Sequence, residues 1–112
     1  MTQITLGKAL GAGLRQAMRD DEKVVLLGED IGRLGGVFRI TDGLLDEFGA
    51  KRVIDTPLAE SGIVGMAVGL AFRGYRPVVE IQFDGFVYPA FDQIVAQAVS
   101  YTHLTLPTSD LV

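Results

Sequence analysis

The chain has 112 residues, and its ten basic and fourteen acidic residues give a net charge of −4. Hydrophobic residues make up 48% and charged residues 21%, which is typical of one globular domain and excludes a disordered or fibrous chain. The acidic balance argues against a nucleic-acid partner, and the absence of cysteine excludes disulfides and thiolate metal sites. No apolar run approaches the roughly 20 residues of a membrane span. We expect a soluble, cytoplasmic protein, because the first segment lacks a signal-peptide core and a transit-peptide pattern.

The first third of the chain alternates between helical and strand patterns. Apolar residues at i, i+3, i+4 spacing predict an amphipathic helix over residues 5–19, with Thr5 as its N-cap. A continuous apolar run at residues 24–27 predicts a strand that is buried on both faces of a parallel sheet. Residues 28–36 hold four glycines and predict a shaped loop, after which Thr41 begins a second helix.

The alternation continues through the middle of the chain. Residues 53–54 predict a short strand, residues 61–72 a third helix, and residues 77–83 a third strand. The third helix is rich in glycine, which has poor helix propensity. Such a composition is favourable only where another backbone approaches closely, so we expect a tightly packed neighbour.

The last element of the pattern is a helix that begins at Asp84 or near Tyr88 and turns Phe91 toward the core. The order of helices and strands predicts the α/β class, with an open, doubly wound parallel sheet that is covered on both faces. Sheets of this kind bind ligands beyond the carboxyl ends of their strands.

Polar and aromatic residues stand where the predicted strands end. Glu29 and Asp30 follow the first strand, Glu60 precedes the third helix, and Gln82 and Phe86 lie at the end of the third strand. We expect them to meet in one crevice. A carboxylate at a helix N-terminus is also a common structural feature, so the spacing alone leaves both interpretations of Glu60 open. The glycine loop matches neither the dinucleotide-binding fingerprint nor the P-loop.

A close resemblance to a known family is carried by the segments GEDIGRLGGVFR, DTPLAESGIVGMAVGLAFRGYRPVVEIQF and FVYPAFDQIV. They resemble the beta subunit of the thiamine-diphosphate-dependent 2-oxo acid dehydrogenases, and the resemblance covers residues 1–98. It implies a partial, transketolase-like pyrimidine-binding domain. It also implies an enzyme that oxidatively decarboxylates pyruvate or a branched-chain 2-oxo acid and reductively acylates lipoyl groups. The implied partners are an alpha subunit, which forms a heterotetramer with the beta subunit and holds the diphosphate and Mg²⁺, and a lipoyl acyltransferase core.

The same resemblance assigns roles to individual residues. Glu60 stands where the family has the catalytic glutamate that bonds the pyrimidine N1′ of thiamine diphosphate and shares a proton with it. Phe86 stands at the aromatic position that packs on the pyrimidine ring. Leu58 and Gln82 match walls of the cofactor pocket, and Glu29 matches a second acid near the cofactor. A turn role for Glu29 and a simple core role for Phe86 stay open.

Two other functions stay open at this stage. One is an acetoin dehydrogenase or another transketolase-like thiamine enzyme; the segments EIQF and FVYPAFDQ favour the 2-oxo acid group over transketolase and deoxyxylulose phosphate synthase. The other is a non-catalytic α/β binding module. The choice between pyruvate, a branched-chain 2-oxo acid and acetoin is also left open.

The end of the chain breaks the pattern of the preceding residues. The sequence VSYTHLTLPT at residues 99–108 is what one reading frame of a transposase-type sequencing adapter encodes. We therefore expect a native part at residues 1–98 and a non-native tail at residues 99–112. The only histidine, His103, lies in that tail, so we do not expect it to act as a base. The family's channel histidine, potassium site and C-terminal domain would follow later, and we expect this chain alone to be inactive.

Overall fold

A three-stranded parallel sheet organises the chain in the computed structural model, which describes residues 3–99. Its strands are β1 (Val24–Gly28), β2 (Val53–Asp55) and β3 (Arg76–Glu80). The spatial order is β2-β1-β3. Gly28 pairs with Asp55 on one side and with Glu80 on the other, so the three strands end level with one another.

Helices connect the strands and cover the sheet. Within residues 3–99 the α-helices are α1 (Leu6–Asp20), α2 (Leu44–Phe48), α3 (Glu60–Phe72) and α4 (Val87–Asp92). A 3-10 turn at Asp84–Phe86 precedes α4, and a π-helical segment at Gln93–Val99 follows it. The side chain of Thr5 accepts a hydrogen bond from the backbone N–H of Lys8, which confirms the predicted N-cap of α1. Apart from Val99, the predicted non-native tail with His103 lies outside the described residues.

Two apolar clusters lie on opposite faces of the sheet, because alternate residues of a strand point to opposite sides. Val24 and Leu26 pack with residues of α1 and α2, whereas Val25 and Leu27 pack with residues of α3. All five residues of β1 are buried, as expected for a strand covered on both faces. The α/β class and the parallel sheet are thus confirmed.

The helix α2 and the strand β3 are shorter than the sequence pattern predicts. The helix α2 begins at Leu44 and not at Thr41, because the Thr41 hydroxyl donates to the Ile31 carbonyl at 2.7 Å and Gly43 has a left-handed φ of 81°. The strand β3 ends at Glu80, where its partner β1 also ends. The residues after Glu80 therefore leave the sheet and enter the region beyond the strand ends.

The outer helices also differ in part from the predictions. Phe91 is 56% exposed, and the prediction that it faces the core is wrong; the 3-10 turn sets the start of α4 so that Ala90 is buried in its place. The prediction that another backbone approaches the glycines of α3 is not met: a Cβ atom at Gly65 would lie 3.3 Å from a side-chain atom, Oε1 of Gln93. At Gly69 no described atom lies within 4 Å of such a Cβ.

The N-terminal half of α1 is less buried than its C-terminal half. Met18 is fully buried, but Leu10 is 51% exposed and Leu6 is 76% exposed. In the part of the chain that the structure describes, no helix combines the length and the apolar content that a membrane crossing requires.

Candidate functional site

The crevice between β1 and β3 is the point where the chain order of the sheet reverses. The chain passes from the central strand β1 to β2 on one side, and the next strand, β3, then pairs with β1 on its other side. Open parallel sheets bind ligands at such switch points, beyond the carboxyl ends of the strands. Glu29 follows β1 at this edge, and Gln82 follows β3. The Gln82 side-chain amide donates a hydrogen bond of 3.3 Å to the Glu29 carbonyl, which joins the two sides of the crevice.

Gly28 permits the close approach of the strands at the crevice. A Cβ atom at this position would lie 2.8 Å from the Glu80 carbonyl oxygen and 2.9 Å from Cγ2 of Ile31. The Gly28 carbonyl also accepts a hydrogen bond of 2.9 Å from the backbone N–H of Thr56, which follows β2. Gly28 therefore allows β3 to lie close to β1, and its carbonyl holds the segment that follows β2.

Glu29 is a buried acid without a hydrogen-bond donor. The residue is 4% exposed, and no hydrogen-bond donor in residues 3–99 reaches either oxygen of its carboxyl group. Burial raises the pKa of Glu29, and the neighbouring carboxyl groups of Glu60 and Asp30 raise it further. The protonated form of Glu29 is therefore favoured relative to that of an exposed glutamate.

Glu60 is the first residue of α3 and is partly buried. This position suits the structural interpretation, because a carboxylate in the first turn interacts favourably with the helix dipole. The dipole does not require a second, buried carboxyl group beside it. A structural role of Glu60 at the helix end therefore does not explain why the buried carboxyl group of Glu29 lies near it.

The loop after Glu29 has an unusual backbone conformation that several hydrogen bonds hold in place. Asp30 has a left-handed φ of 58°, and its carbonyl accepts a hydrogen bond of 2.8 Å from Gly36. The Asp55 carboxylate accepts hydrogen bonds from the backbone of Gly32 at 2.7 Å and of Arg33 at 3.3 Å. Left-handed non-glycine residues are uncommon and cluster at functional sites. Asp55 is not among the site residues predicted from the sequence, although its place at the end of the second strand was a signal for this role.

Three aromatic rings form a continuous row at the same edge. The ring of Phe86 packs edge-to-face on that of Phe83, with 5.3 Å between centroids and 77° between planes. Phe83 packs in the same way on Phe38, at 6.0 Å and 84°. Phe38 was not predicted as a site residue from the sequence. The one feature that could have indicated it is its position two residues after the Gly35–Gly36 pair, in a loop at the end of the first strand.

The predicted site residues are gathered to different degrees. Glu29 contacts both Glu60 and Gln82, and Phe86 is connected to this group through Phe83. Leu58 is 76% exposed on the loop before α3, so the described residues do not bury it. Among residues 3–99, no three His, Cys, Asp or Glu side chains are grouped so that they could hold a metal ion. The roles assigned to the five residues stay predictions.

The structure is an α/β domain with a crevice at the switch point of its parallel sheet, and sequence comparison identifies its family. Residues 2–109 match the family described as the transketolase, pyrimidine binding domain. The chain belongs to this family.

Several relatives of the chain are named as beta subunits of 2-oxo acid dehydrogenases. The chain is 73% identical over 90 residues to the pyruvate dehydrogenase E1 component subunit beta of Leifsonia xyli subsp. xyli, covering 80% of this chain and 27% of that protein. It is 55% identical over 108 residues to the 3-methyl-2-oxobutanoate dehydrogenase subunit beta of Mycobacterium tuberculosis, covering 96% and 31%. The pyruvate dehydrogenase E1 component subunit beta of Staphylococcus epidermidis is 56% identical over 97 residues, covering 87% and 30%. The chain thus spans less than a third of the length of these relatives, and the resemblance seen in its motifs is confirmed.

Proposed function

We propose that this chain is part of the beta subunit of a thiamine-diphosphate-dependent 2-oxo acid dehydrogenase and that it binds the aminopyrimidine of the cofactor. The complete enzyme would oxidatively decarboxylate pyruvate or a branched-chain 2-oxo acid and reductively acylate lipoyl groups. The observation that carries the proposal is the buried Glu29 carboxyl group, which lacks a donor and lies beside Glu60 at the switch-point crevice. The family match and the names of the relatives support it.

The described residues fit an aminopyrimidine in their chemistry. Such a ring offers nitrogens that accept hydrogen bonds, an amino group that donates them, and a flat apolar face. The crevice supplies the carboxyl groups of Glu29 and Glu60, and the Thr56 hydroxyl is a further buried group without a partner in residues 3–99. Phe86 is 38% exposed at the same edge and supplies an aromatic surface.

Each residue then has a distinct task. When bound, thiamine diphosphate supplies the carbanion chemistry by which a 2-oxo acid loses carbon dioxide. Glu60 would hold a proton between its carboxyl group and the pyrimidine N1′. Glu29, a buried acid whose pKa is raised, would be a second acid near the cofactor. Gln82 fixes the backbone of Glu29, and Phe86 would pack on the ring and exclude water from it.

The remaining parts of the enzyme would come from outside the described residues. In this proposal an alpha subunit holds the diphosphate and Mg²⁺ and forms a heterotetramer with the beta subunit. A lipoyl acyltransferase core accepts the acyl group, and the complex works in the cytoplasm. The designation of two relatives as the beta subunit of an E1 component supports a companion subunit.

The experiment uses the complete subunit, produced together with its alpha partner and stripped of cofactor. Calorimetric titration with thiamine diphosphate should show saturable binding, and dye reduction should follow the addition of pyruvate or 3-methyl-2-oxobutanoate. Turnover with acetoin alone would replace the proposal with an acetoin dehydrogenase. Failure to bind thiamine diphosphate would leave a non-catalytic binding module and overturn the proposal.

A further inference from the structure

We propose that Phe38 is a positioning residue of the cofactor pocket, acting on Phe86 through the ring of Phe83. The inference rests on the proposed function, because it concerns the wall against which the pyrimidine would lie. It extends the pocket to the loop between β1 and α2, a segment that the motif-based assignment of site residues does not include.

The first observation is the geometry of the three rings. Both ring pairs in the row from Phe38 to Phe83 to Phe86 have the near-perpendicular arrangement that the aromatic quadrupole favours, with centroids 6.0 and 5.3 Å apart. The three residues are 58%, 45% and 38% exposed, in that order along the row. They are therefore not a closed core cluster, and their arrangement presents an aromatic surface beside the crevice.

The second observation is that the backbone on both sides of Phe38 is fixed. Gly36 has a φ of 85°, and its N–H donates to the Asp30 carbonyl. Arg39 has a left-handed φ of 60°, and its guanidinium donates to the Leu34 carbonyl and to the Asp42 carboxylate. These bonds hold the backbone of the loop on either side of Phe38, whose ring contacts Phe83.

The third observation is that the other end of the row is held from the β3 side. Gln82, which directly precedes Phe83, donates to the Glu29 carbonyl, and the Phe86 N–H donates to the Phe83 carbonyl at 3.0 Å. The backbone of Phe83 and Phe86 is thus tied to the crevice, and Phe38 restricts the remaining freedom of the rings. A ring that is already oriented loses less conformational freedom when a ligand packs on it.

The test measures thiamine diphosphate affinity by calorimetry in the stripped, complete enzyme with its alpha partner. Phe38→Ala should weaken the affinity about two- to tenfold, the range that one aromatic pair supplies. Phe38→Tyr keeps the ring and should restore the affinity. Leu34→Ala is the matched control, because Leu34 is an apolar residue of the same loop and is 51% exposed. The cofactor affinity of this variant should equal that of the wild type.

A double-mutant cycle separates positioning from a general effect on stability. If Phe38 acts through Phe86, adding Phe38→Ala to Phe86→Ala should cause no further loss of affinity. Phe38→Leu keeps apolar volume without the ring, and it should show the loss even if Phe38→Ala yields little folded protein. The inference is overturned if Phe38→Ala and Phe38→Leu bind the cofactor as tightly as the wild-type enzyme does. It is also overturned if Phe38→Ala causes the same loss of affinity in the Phe86→Ala background as in the wild type. Wild-type enzyme that fails to bind the cofactor would instead refute the proposed function, and this inference with it.

Discussion

Removal of the Asp55 carboxylate should loosen the loop that carries one wall of the candidate site. Asp55 accepts a hydrogen bond from Gly32 at 2.7 Å and a longer one from Arg33 at 3.3 Å. A hydrogen bond to a charged acceptor contributes about 1.5–3 kcal/mol. We count only the shorter bond, because the longer one is weak and Asp55 is exposed. For Asp55→Ala we therefore expect the free energy of local opening at Gly32 to fall by about 1.5–3 kcal/mol.

Hydrogen exchange of the Gly32 amide in the complete enzyme measures this change. At 1.4 kcal/mol for each factor of ten, exchange should become about 10- to 150-fold faster. Asp55→Asn keeps one acceptor oxygen and should give a smaller increase. Asp46→Ala removes an exposed carboxylate of α2 and serves as the control. Unchanged protection in Asp55→Ala, or an equal increase in Asp46→Ala, would refute this account of the loop.

Three further predictions concern the crevice. The pKa of Glu29 is raised in the folded state, so Glu29 stabilises the fold fully below its ordinary pKa of 4.5, and this stabilisation is lost as the pH rises through the raised pKa. The melting temperature of Glu29→Gln should therefore rise relative to that of the wild type as the pH increases above 4.5. A difference in melting temperature that does not change with pH would contradict this prediction. Phe86→Ala should weaken cofactor binding by about 1–2 kcal/mol through lost ring packing, while turnover at saturating cofactor changes less, and unchanged affinity in a titration would exclude the contact. Gly28→Ala should destabilise the subunit by about 1–3 kcal/mol in denaturant unfolding, because its Cβ would lie 2.8 Å from the Glu80 carbonyl. Gly13→Ala, which has no described atom within 4 Å of the added Cβ, is its control and should show no such loss.

The sheet was predictable because its central strand carries a local signal. A continuous apolar run ending in Gly28 predicts burial on both faces, and the structure shows this burial. The start of α2 and the end of β3 depend on contacts between distant residues. Thr41 bonds the carbonyl of Ile31, and β3 ends where Gly28 ends its partner strand, so neither boundary is encoded in the local pattern.

The candidate site shows the same division. The meeting of Glu29, Glu60 and Gln82 follows from one rule, because parallel strands end at the same edge. Asp55 and Phe38 owe their roles to the loop after β1: Asp55 bonds its backbone, and Phe38 is part of it. The loop contains the left-handed residues Asp30 and Arg39, which no periodicity of the sequence indicates. Whether each residue acts on a cofactor stays a prediction until the complete enzyme is assayed.

The catalytic role of Glu60 is tested by comparing turnover with cofactor affinity in the Glu60→Gln variant of the complete enzyme. The amide keeps the size of the side chain but cannot exchange a proton with the pyrimidine N1′, so the decarboxylation rate should fall by about 10² or more. Thiamine diphosphate affinity should fall much less, because we assign the diphosphate to the alpha subunit. Glu22→Gln, at an exposed position between α1 and β1, is the matched control and should keep normal turnover. Near-normal turnover in Glu60→Gln would mean that its carboxyl group only stabilises the start of α3, and the proposed catalytic role would be wrong.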